Sequence, residues 1–173
     1  LRGMEGDRQF CRELEDRYGT PITSTMLAVA EALQHLGLKK IVVTTPYPDR
    51  HHVAERAYLR EAGIEPLIMK GMGLETADGF AAVSPQEIFD FAMDAWKEFA
   101  DEADGLFISC MNHDGMAAAQ ALEDEIGRPV VTSHTATLWS ALSQAGETDP
   151  LPGYGRLLAE PRADRRKKAT SAA

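Results

Sequence analysis

The segment LFISCMNHDG, residues 106–115, places a cysteine at the end of a run of apolar and β-branched residues. A thiol in this position either packs as a small buried hydrophobic group or reacts as a thiolate. Backbone N–H groups in the turn after a strand, and the N-terminus of the next helix, stabilise a thiolate. Position alone is compatible with both interpretations of Cys110. The strands and helices around it indicate which of the two applies.

Other chemical patterns in the sequence are weak. The glycines of GMGLETADG, residues 71–79, follow neither phosphate-loop nor dinucleotide-binding spacing and indicate a flexible loop near the site. No set of His, Cys, Asp and Glu has metal-ligand spacing, and His51 and His52 are typical of a solvated helix start. No serine lies on a nucleophile elbow. Cys11 lies in the middle of a predicted helix and is interpreted as structural.

Hydrophobic patterning predicts the elements that hold Cys110. Four short apolar runs are typical of buried strands: KKIVVTT, EPLIM, GLFIS and RPVVTS. Helices are predicted at residues 5–18, from about 25 to 36, and then after each strand at 50–62, 84–99, 115–127 and 134–146. Ser84 and Ser133 are the expected N-caps of the helices that follow them. Residues 70–83 and the chain after Gly146 are predicted to be loop.

Strands that alternate with helices predict an α/β fold, with a parallel sheet flanked by helices on both faces. Ligands of such sheets bind beyond the carboxyl ends of the strands. Those ends lie at Thr44–Tyr47, Met69–Gly73, Ser109–Asp114 and Thr132–Thr135. His113 and Asp114 either contact a ligand there or cap the next helix. His134 is either a site residue or a capping or surface histidine.

Composition narrows the class of partner. The formal charge is −9, and five Lys or Arg with one Asp lie from Pro161 onward, so a basic tail follows an acidic body. An acidic body argues against nucleic acid or an anionic membrane as the partner. No apolar run reaches the roughly 18 residues of a membrane span, and no signal peptide opens the chain. Two cysteines form no disulfide framework, so a reduced, cytoplasmic protein is expected.

Several separated motifs resemble one enzyme family. GTPITSTMLAVAEALQHLGLKKIVVTTPY, GLFISCMN, GRPVVTSHTATLWSALSQAG and LPGYGRLL resemble, in the same order, the maleate isomerase / arylmalonate decarboxylase family of the aspartate/glutamate racemase superfamily. The resemblance spans residues 1–158. It implies a fold of two pseudo-symmetric α/β lobes with the active site between them, in which each lobe can supply a cysteine at a strand end.

The resemblance also implies that the first lobe is incomplete in this chain. Residues 1–20 are then a remnant of that lobe and residues 21–146 form the second lobe. Residues 147–160 return toward the first lobe, and residues 161–173 form a disordered basic tail. Cys110 matches the second-lobe cysteine, and its first-lobe counterpart, a glycine in decarboxylases, is expected just upstream of Leu1.

Further site residues are implied by the resemblance. Tyr47 matches a tyrosine that hydrogen-bonds a substrate carboxylate, and the backbone amides of Cys110 and Met111 match donors to the same substrate. Asn112 fits the Cys-x-Asn pattern of some members. His134 is a candidate substrate-binding residue that replaces a residue often Asn or Ser in relatives.

The implied activity uses a small dicarboxylate and needs no metal or cofactor. Maleate cis-trans isomerisation ranks first: a first-lobe thiolate adds to the double bond, the C–C bond rotates, and Cys110 protonates and deprotonates the adjacent carbon. The alternative is arylmalonate decarboxylation, with Cys110 protonating an enediolate. An aspartate/glutamate-type racemase, which needs two opposed thiols, and a truncated inactive or ligand-binding domain rank below these two. The sequence leaves a homo-oligomer open.

Overall fold

The computed structural model describes residues 2–166 of the chain. The helices are α1 (Gly3–Tyr18), α2 (Thr25–His35), α3 (His52–Glu61), α4 (Ala77–Ala82), α5 (Pro85–Trp96), α6 (Gly115–Ile126), α7 (Ser133–Ala145) and α8 (Arg156–Ala159). The strands are β1 (Lys40–Thr45), β2 (Glu65–Gly71), β3 (Gly105–Ile108) and β4 (Val130–Thr132). A short 3₁₀ turn, Asp49–His51, precedes α3.

The strands form one parallel sheet within the described residues, in the order β2-β1-β3-β4. β1 pairs with β2 on one side and with β3 on the other, and β3 pairs with β4 so that Ile108 lies opposite Thr132. The β1 side chains of Ile41, Val42 and Val43 have no exposed surface. A strand buried on both faces is typical of a parallel sheet flanked by helices, so the predicted fold class is confirmed.

Side chains alternate in direction along β1, so they pack against helices on both faces of the sheet. Val43 belongs to a core cluster with Leu33 of α2 and Trp139 of α7. Val42 belongs to a second cluster with Leu122 of α6 and Ile88 of α5. The two clusters hold the sheet between two helical layers, and the carboxyl ends of all four parallel strands therefore meet at one edge.

Local hydrogen bonds explain where the helices begin. Ser84 and Glu87 form the predicted capping box at α5. The prediction that Ser133 caps α7 is wrong, because Thr132 and Thr135 form a reciprocal pair in which each hydroxyl accepts from the other's N–H at 3.0 Å. Thr132 is therefore the cap, and Ser133 is the first helical residue.

Two segments predicted as loop contain short helices. Residues 70–83 include α4, whose N-cap Thr76 accepts a hydrogen bond from the Gly79 N–H at 3.1 Å. The chain after Gly146 includes α8, where Leu157 and Leu158 are buried. Helices of one or two turns have too few residues for a periodic pattern, which is why the sequence did not indicate them.

Helix α1 is fastened to α2 and α3 by polar contacts. Asp7 is 7% exposed, and its carboxylate accepts hydrogen bonds from the Ser24 hydroxyl at 2.8 Å and the Tyr58 hydroxyl at 3.1 Å. The Met4 N–H donates to Glu61 at 2.7 Å. Cys11 lies within α1 and packs in the same core cluster as Val43. This location agrees with its interpretation as a structural cysteine.

The predicted disordered tail begins with packed residues. Arg162 is 6% exposed, and its guanidinium donates to the backbone carbonyls of Glu147, Asp149 and Leu158. Arg162 therefore packs against the rest of the fold, and residues 167–173 of the predicted tail lie outside the described residues. Among residues 2–166, no helix has the length and apolar character needed to cross a membrane.

Candidate active site

Cys110 lies two residues beyond the end of β3, in a turn with unusual backbone geometry. Its φ is 146°, and no other non-glycine residue between 2 and 166 has a positive φ. The Cys110 N–H donates to the Ser133 hydroxyl at 3.1 Å, which fixes this turn to the start of α7. A side chain in this region of backbone conformation costs about 1–3 kcal/mol, and such strain clusters at functional sites.

This strain can be measured by comparing two variants that both lack the thiol. Glycine tolerates the Cys110 backbone angle and alanine does not, although glycine costs about 0.4–1 kcal/mol more chain entropy on folding. We expect Cys110→Gly to have an unfolding free energy about 1 kcal/mol above that of Cys110→Ala. Urea denaturation of the two variants measures the difference. Equal stability, or greater stability of the alanine variant, would show that the turn stores no strain.

Two groups lie beside the Cys110 sulfur. The Asn112 N–H donates to Sγ at 3.3 Å, across the turn that precedes α6. The Tyr47 hydroxyl lies beside the same sulfur, and burial together with the Cys110 thiol raises the pKa of Tyr47.

Tyr47 is held by the loop that follows β1. Its N–H donates to the Thr45 hydroxyl at 3.1 Å. Its ring meets Phe80 of α4 edge to face, with 5.3 Å between ring centroids and an interplanar angle of 77°. The first contact holds the Tyr47 backbone and the second packs against one side of its ring, so both restrict the position of the hydroxyl.

A cavity of about 650 Å³ opens at this edge of the sheet. It is lined by residues from all the neighbouring elements: Thr25, Met26, Tyr47, His51, Ala54, Glu55, Glu75, Phe80, Ser109, Cys110, Met111 and Ser133. Hydroxyl groups lie around the thiol, and methionine, alanine and phenylalanine side chains supply an apolar wall. The cavity lies at the edge of the sheet that the strand-end rule selected.

The predicted site residues do not all reach the cavity. Tyr47, Cys110 and Met111 line it, whereas Asn112 and His134 are not among its lining residues. The Asn112 side-chain amide instead donates to the Ala77 carbonyl at 2.7 Å, which joins the Cys110 turn to α4. Substrate contacts of all five predicted residues stay predictions.

His113 is a buried histidine beside the Cys110 turn. It is 2% exposed, and neither of its ring nitrogens has a hydrogen-bond partner within the described residues. Burial lowers the pKa of His113 below its ordinary value of 6.5, Asp114 opposes this effect, and His134 adds to it. The folded protein therefore holds His113 in its neutral form.

The neutral His113 makes stability depend on pH. As pH falls through about 6.5, the unfolded chain gains a proton that the folded His113 gains only at lower pH, so the free energy of unfolding decreases in that window. We expect His113→Leu to reduce this decrease in urea denaturation series between about pH 7.5 and 5.5. Some decrease will persist, because burial also lowers the pKa of His52. An unchanged pH dependence in the variant would contradict the assignment to His113.

Comparisons with known proteins identify the family of this chain. The family model described as arylmalonate decarboxylase matches residues 1–158. The chain belongs to the arylmalonate decarboxylase family. Bordetella bronchiseptica arylmalonate decarboxylase is 30% identical over 160 residues, which are 92% of this chain and 66% of that protein. Alcaligenes faecalis maleate isomerase is 27% identical over 143 residues, which are 80% of this chain and 54% of that protein.

A solved structure also supports membership of the arylmalonate decarboxylase family. A crystal structure of arylmalonate decarboxylase superposes with a TM-score of 0.83 at 29% identity, over 91% of this chain and 69% of that chain. The resemblance identified from the motifs and the α/β racemase-like fold are therefore confirmed. The chain spans about two thirds of the decarboxylase and about half of the maleate isomerase that it matches.

Sequence reasoning missed several cavity residues of this family member. His51 was assigned to a solvated helix start, yet it lines the cavity and its ring centroid lies 6.3 Å from that of Tyr47. Glu55 was not considered, although it lies one turn before Leu59 on the buried face of α3, where a glutamate is unusual. The four-residue spacing between Glu55 and Leu59 was the one feature of the sequence that could have indicated that Glu55 is buried. Among residues 2–166, no three His, Cys, Asp or Glu side chains form a metal-binding group.

Proposed function

We propose that this protein is a cysteine-based proton-transfer enzyme that acts on a small dicarboxylate without a cofactor. The observation that carries the proposal is the position of the Cys110 thiol, which lines the cavity beside the Tyr47 hydroxyl and accepts a hydrogen bond from the Asn112 N–H. General acid–base catalysis requires a proton-carrying group within reach of the reacting carbon, and Cys110 is the cavity group to which we assign this role.

The apolar wall of the cavity favours arylmalonate decarboxylation. Met26, Ala54, Phe80 and Met111 form a surface suited to an aryl group. One carboxylate then leaves as CO₂ when its C–C bond breaks, and the electron pair of that bond remains on the substrate as an enediolate. Hydroxyl and amide donors stabilise the developing charge, and Cys110 donates its proton to the carbon.

Maleate cis-trans isomerisation is the second candidate. The hydroxyl groups of Thr25 and Ser133, which line the cavity together with Tyr47, suit a carboxylate, and a maleate isomerase is among the relatives. The reaction needs a thiolate that adds to the double bond while Cys110 supplies the proton to the adjacent carbon, and among residues 2–166 Cys110 is the one cysteine that lines the cavity. Rotation about the resulting single bond, followed by loss of that proton and of the thiolate, gives the trans product.

Side-by-side assays of phenylmalonate, maleate and aspartate distinguish the candidates. We expect the protein expressed from its complete gene to release CO₂ from phenylmalonate. Fumarate production from maleate would support the isomerase instead, and inversion of aspartate would support a racemase. Binding of these compounds without turnover of any of them would contradict the proposed enzyme and favour a ligand-binding domain.

A further inference from the structure

Glu55 is a buried carboxyl group at the candidate active site that the mechanism above does not use. It is 5% exposed, it lines the same cavity as Cys110, and its Oε1 atom has no hydrogen-bond partner among the described residues. It lies on the face of α3 that also buries Tyr58 and Leu59. An apolar side chain at this position would avoid the cost of burying a carboxyl group.

The surroundings of Glu55 connect it to the reactive thiol. Burial raises the pKa of Glu55, and the neighbouring Ser109 hydroxyl opposes this rise. Ser109 also interacts with the Tyr47 hydroxyl, which lies beside the Cys110 thiol. Glu55, Ser109, Tyr47 and Cys110 all line the cavity.

Given the proposed function, on which this inference rests, we propose that Glu55 is a positioning residue for proton transfer. In this role the protonated carboxyl group of Glu55 donates to the Ser109 hydroxyl oxygen, the single Ser109 hydrogen is then directed at the Tyr47 oxygen, and the Tyr47 hydroxyl donates to the Cys110 sulfur. A hydroxyl can rotate freely unless a partner holds it, and an unheld donor next to the thiol would spend less time in the productive geometry. Burial of the Glu55 carboxyl group thus lowers the stability of the fold, and in return it aligns the donor beside the thiol.

Two substitutions separate positioning from stability. Glu55→Leu removes the polar group and keeps the bulk, so we expect unchanged or increased stability but a kcat lower by about 10- to 100-fold, with little change in KM. Glu55→Gln retains a group that can hold the Ser109 hydroxyl and is expected to recover most of that loss. Glu123→Gln, at a half-buried carboxyl that does not line the cavity, is the control and is expected to keep the wild-type kcat.

A double-mutant cycle tests whether Glu55 acts through Ser109. If it does, Ser109→Ala combined with Glu55→Leu loses little more activity than Ser109→Ala alone. Losses that multiply, or a Glu55→Leu variant with wild-type kcat, would overturn the role of Glu55. Absence of wild-type turnover on phenylmalonate and maleate would instead contradict the proposed function.

The rate of Cys110 alkylation tests the effect of Glu55 on the thiol without any substrate. The rate of iodoacetamide modification at Cys110, followed by peptide mass spectrometry, depends on donors that stabilise the thiolate. We expect a slower rate in Glu55→Leu and a rate close to wild type in Glu55→Gln. Equal rates in all three proteins would overturn the positioning role, whichever substrate the enzyme uses.

Discussion

Replacing Cys110 with alanine is expected to abolish turnover while leaving the fold intact. The thiol is the proton donor in both candidate reactions, and loss of a general acid–base group lowers kcat by about 10²- to 10⁴-fold. Alanine keeps the small buried volume at the end of β3, where Cys110 is 6% exposed. Steady-state kinetics with phenylmalonate and maleate, together with a circular dichroism spectrum of the variant, measure the effect.

The second cysteine provides the control for this experiment. Cys11 is equally buried, at 6% exposure, but it packs in the core under α1 and does not line the cavity. Cys11→Ala is therefore expected to lose some stability and to keep its activity. Wild-type kcat in Cys110→Ala would remove Cys110 from the mechanism, whichever substrate is used.

Tyr47→Phe is expected to have the second largest effect. The substitution deletes one hydroxyl and keeps the ring that packs against Phe80. A hydrogen bond to a charged group contributes about 1.5–3 kcal/mol, which corresponds to roughly a 10- to 150-fold decrease in kcat/KM. The decrease should appear mainly in kcat if the hydroxyl acts on developing charge, and mainly in KM if it binds a carboxylate in the ground state.

A remote tyrosine serves as the comparison for Tyr47→Phe. Tyr154 is 43% exposed and lies near the C-terminal helix α8, away from the cavity. Tyr154→Phe is expected to leave kcat/KM unchanged. Unaltered kinetics in Tyr47→Phe as well would mean that the hydroxyl beside the thiol contacts no substrate charge.

The sequence predicted the sheet well because its strands carry a strong local signal. β1 and β3 are continuous apolar runs, and a parallel sheet brings their carboxyl ends to one edge. That rule placed Cys110 and Tyr47 near each other although 63 residues separate them in the chain. The prediction succeeded for residues whose location depends on strand order alone.

Cavity residues that come from helices were harder to predict. The orientation of Glu55 depends on how α3 packs on the sheet, and the position of Phe80 depends on a helix of six residues, Ala77–Ala82. The role of Ser133 depends on a hydrogen bond to Cys110, 23 positions away. Such contacts result from tertiary packing, which local propensity and periodicity do not encode.

The hydrogen bond from Asn112 to the Ala77 carbonyl has a consequence for how the protein responds to its ligand. Asn112 belongs to the turn that holds the thiol, and Ala77 begins α4, which carries Phe80 into the cavity. A ligand that displaces α4 must therefore also pull on the Cys110 turn. Under the proposed function, we expect a ligand that is too large for the apolar wall to shift α4 and, through this hydrogen bond, to move the Cys110 thiol out of line.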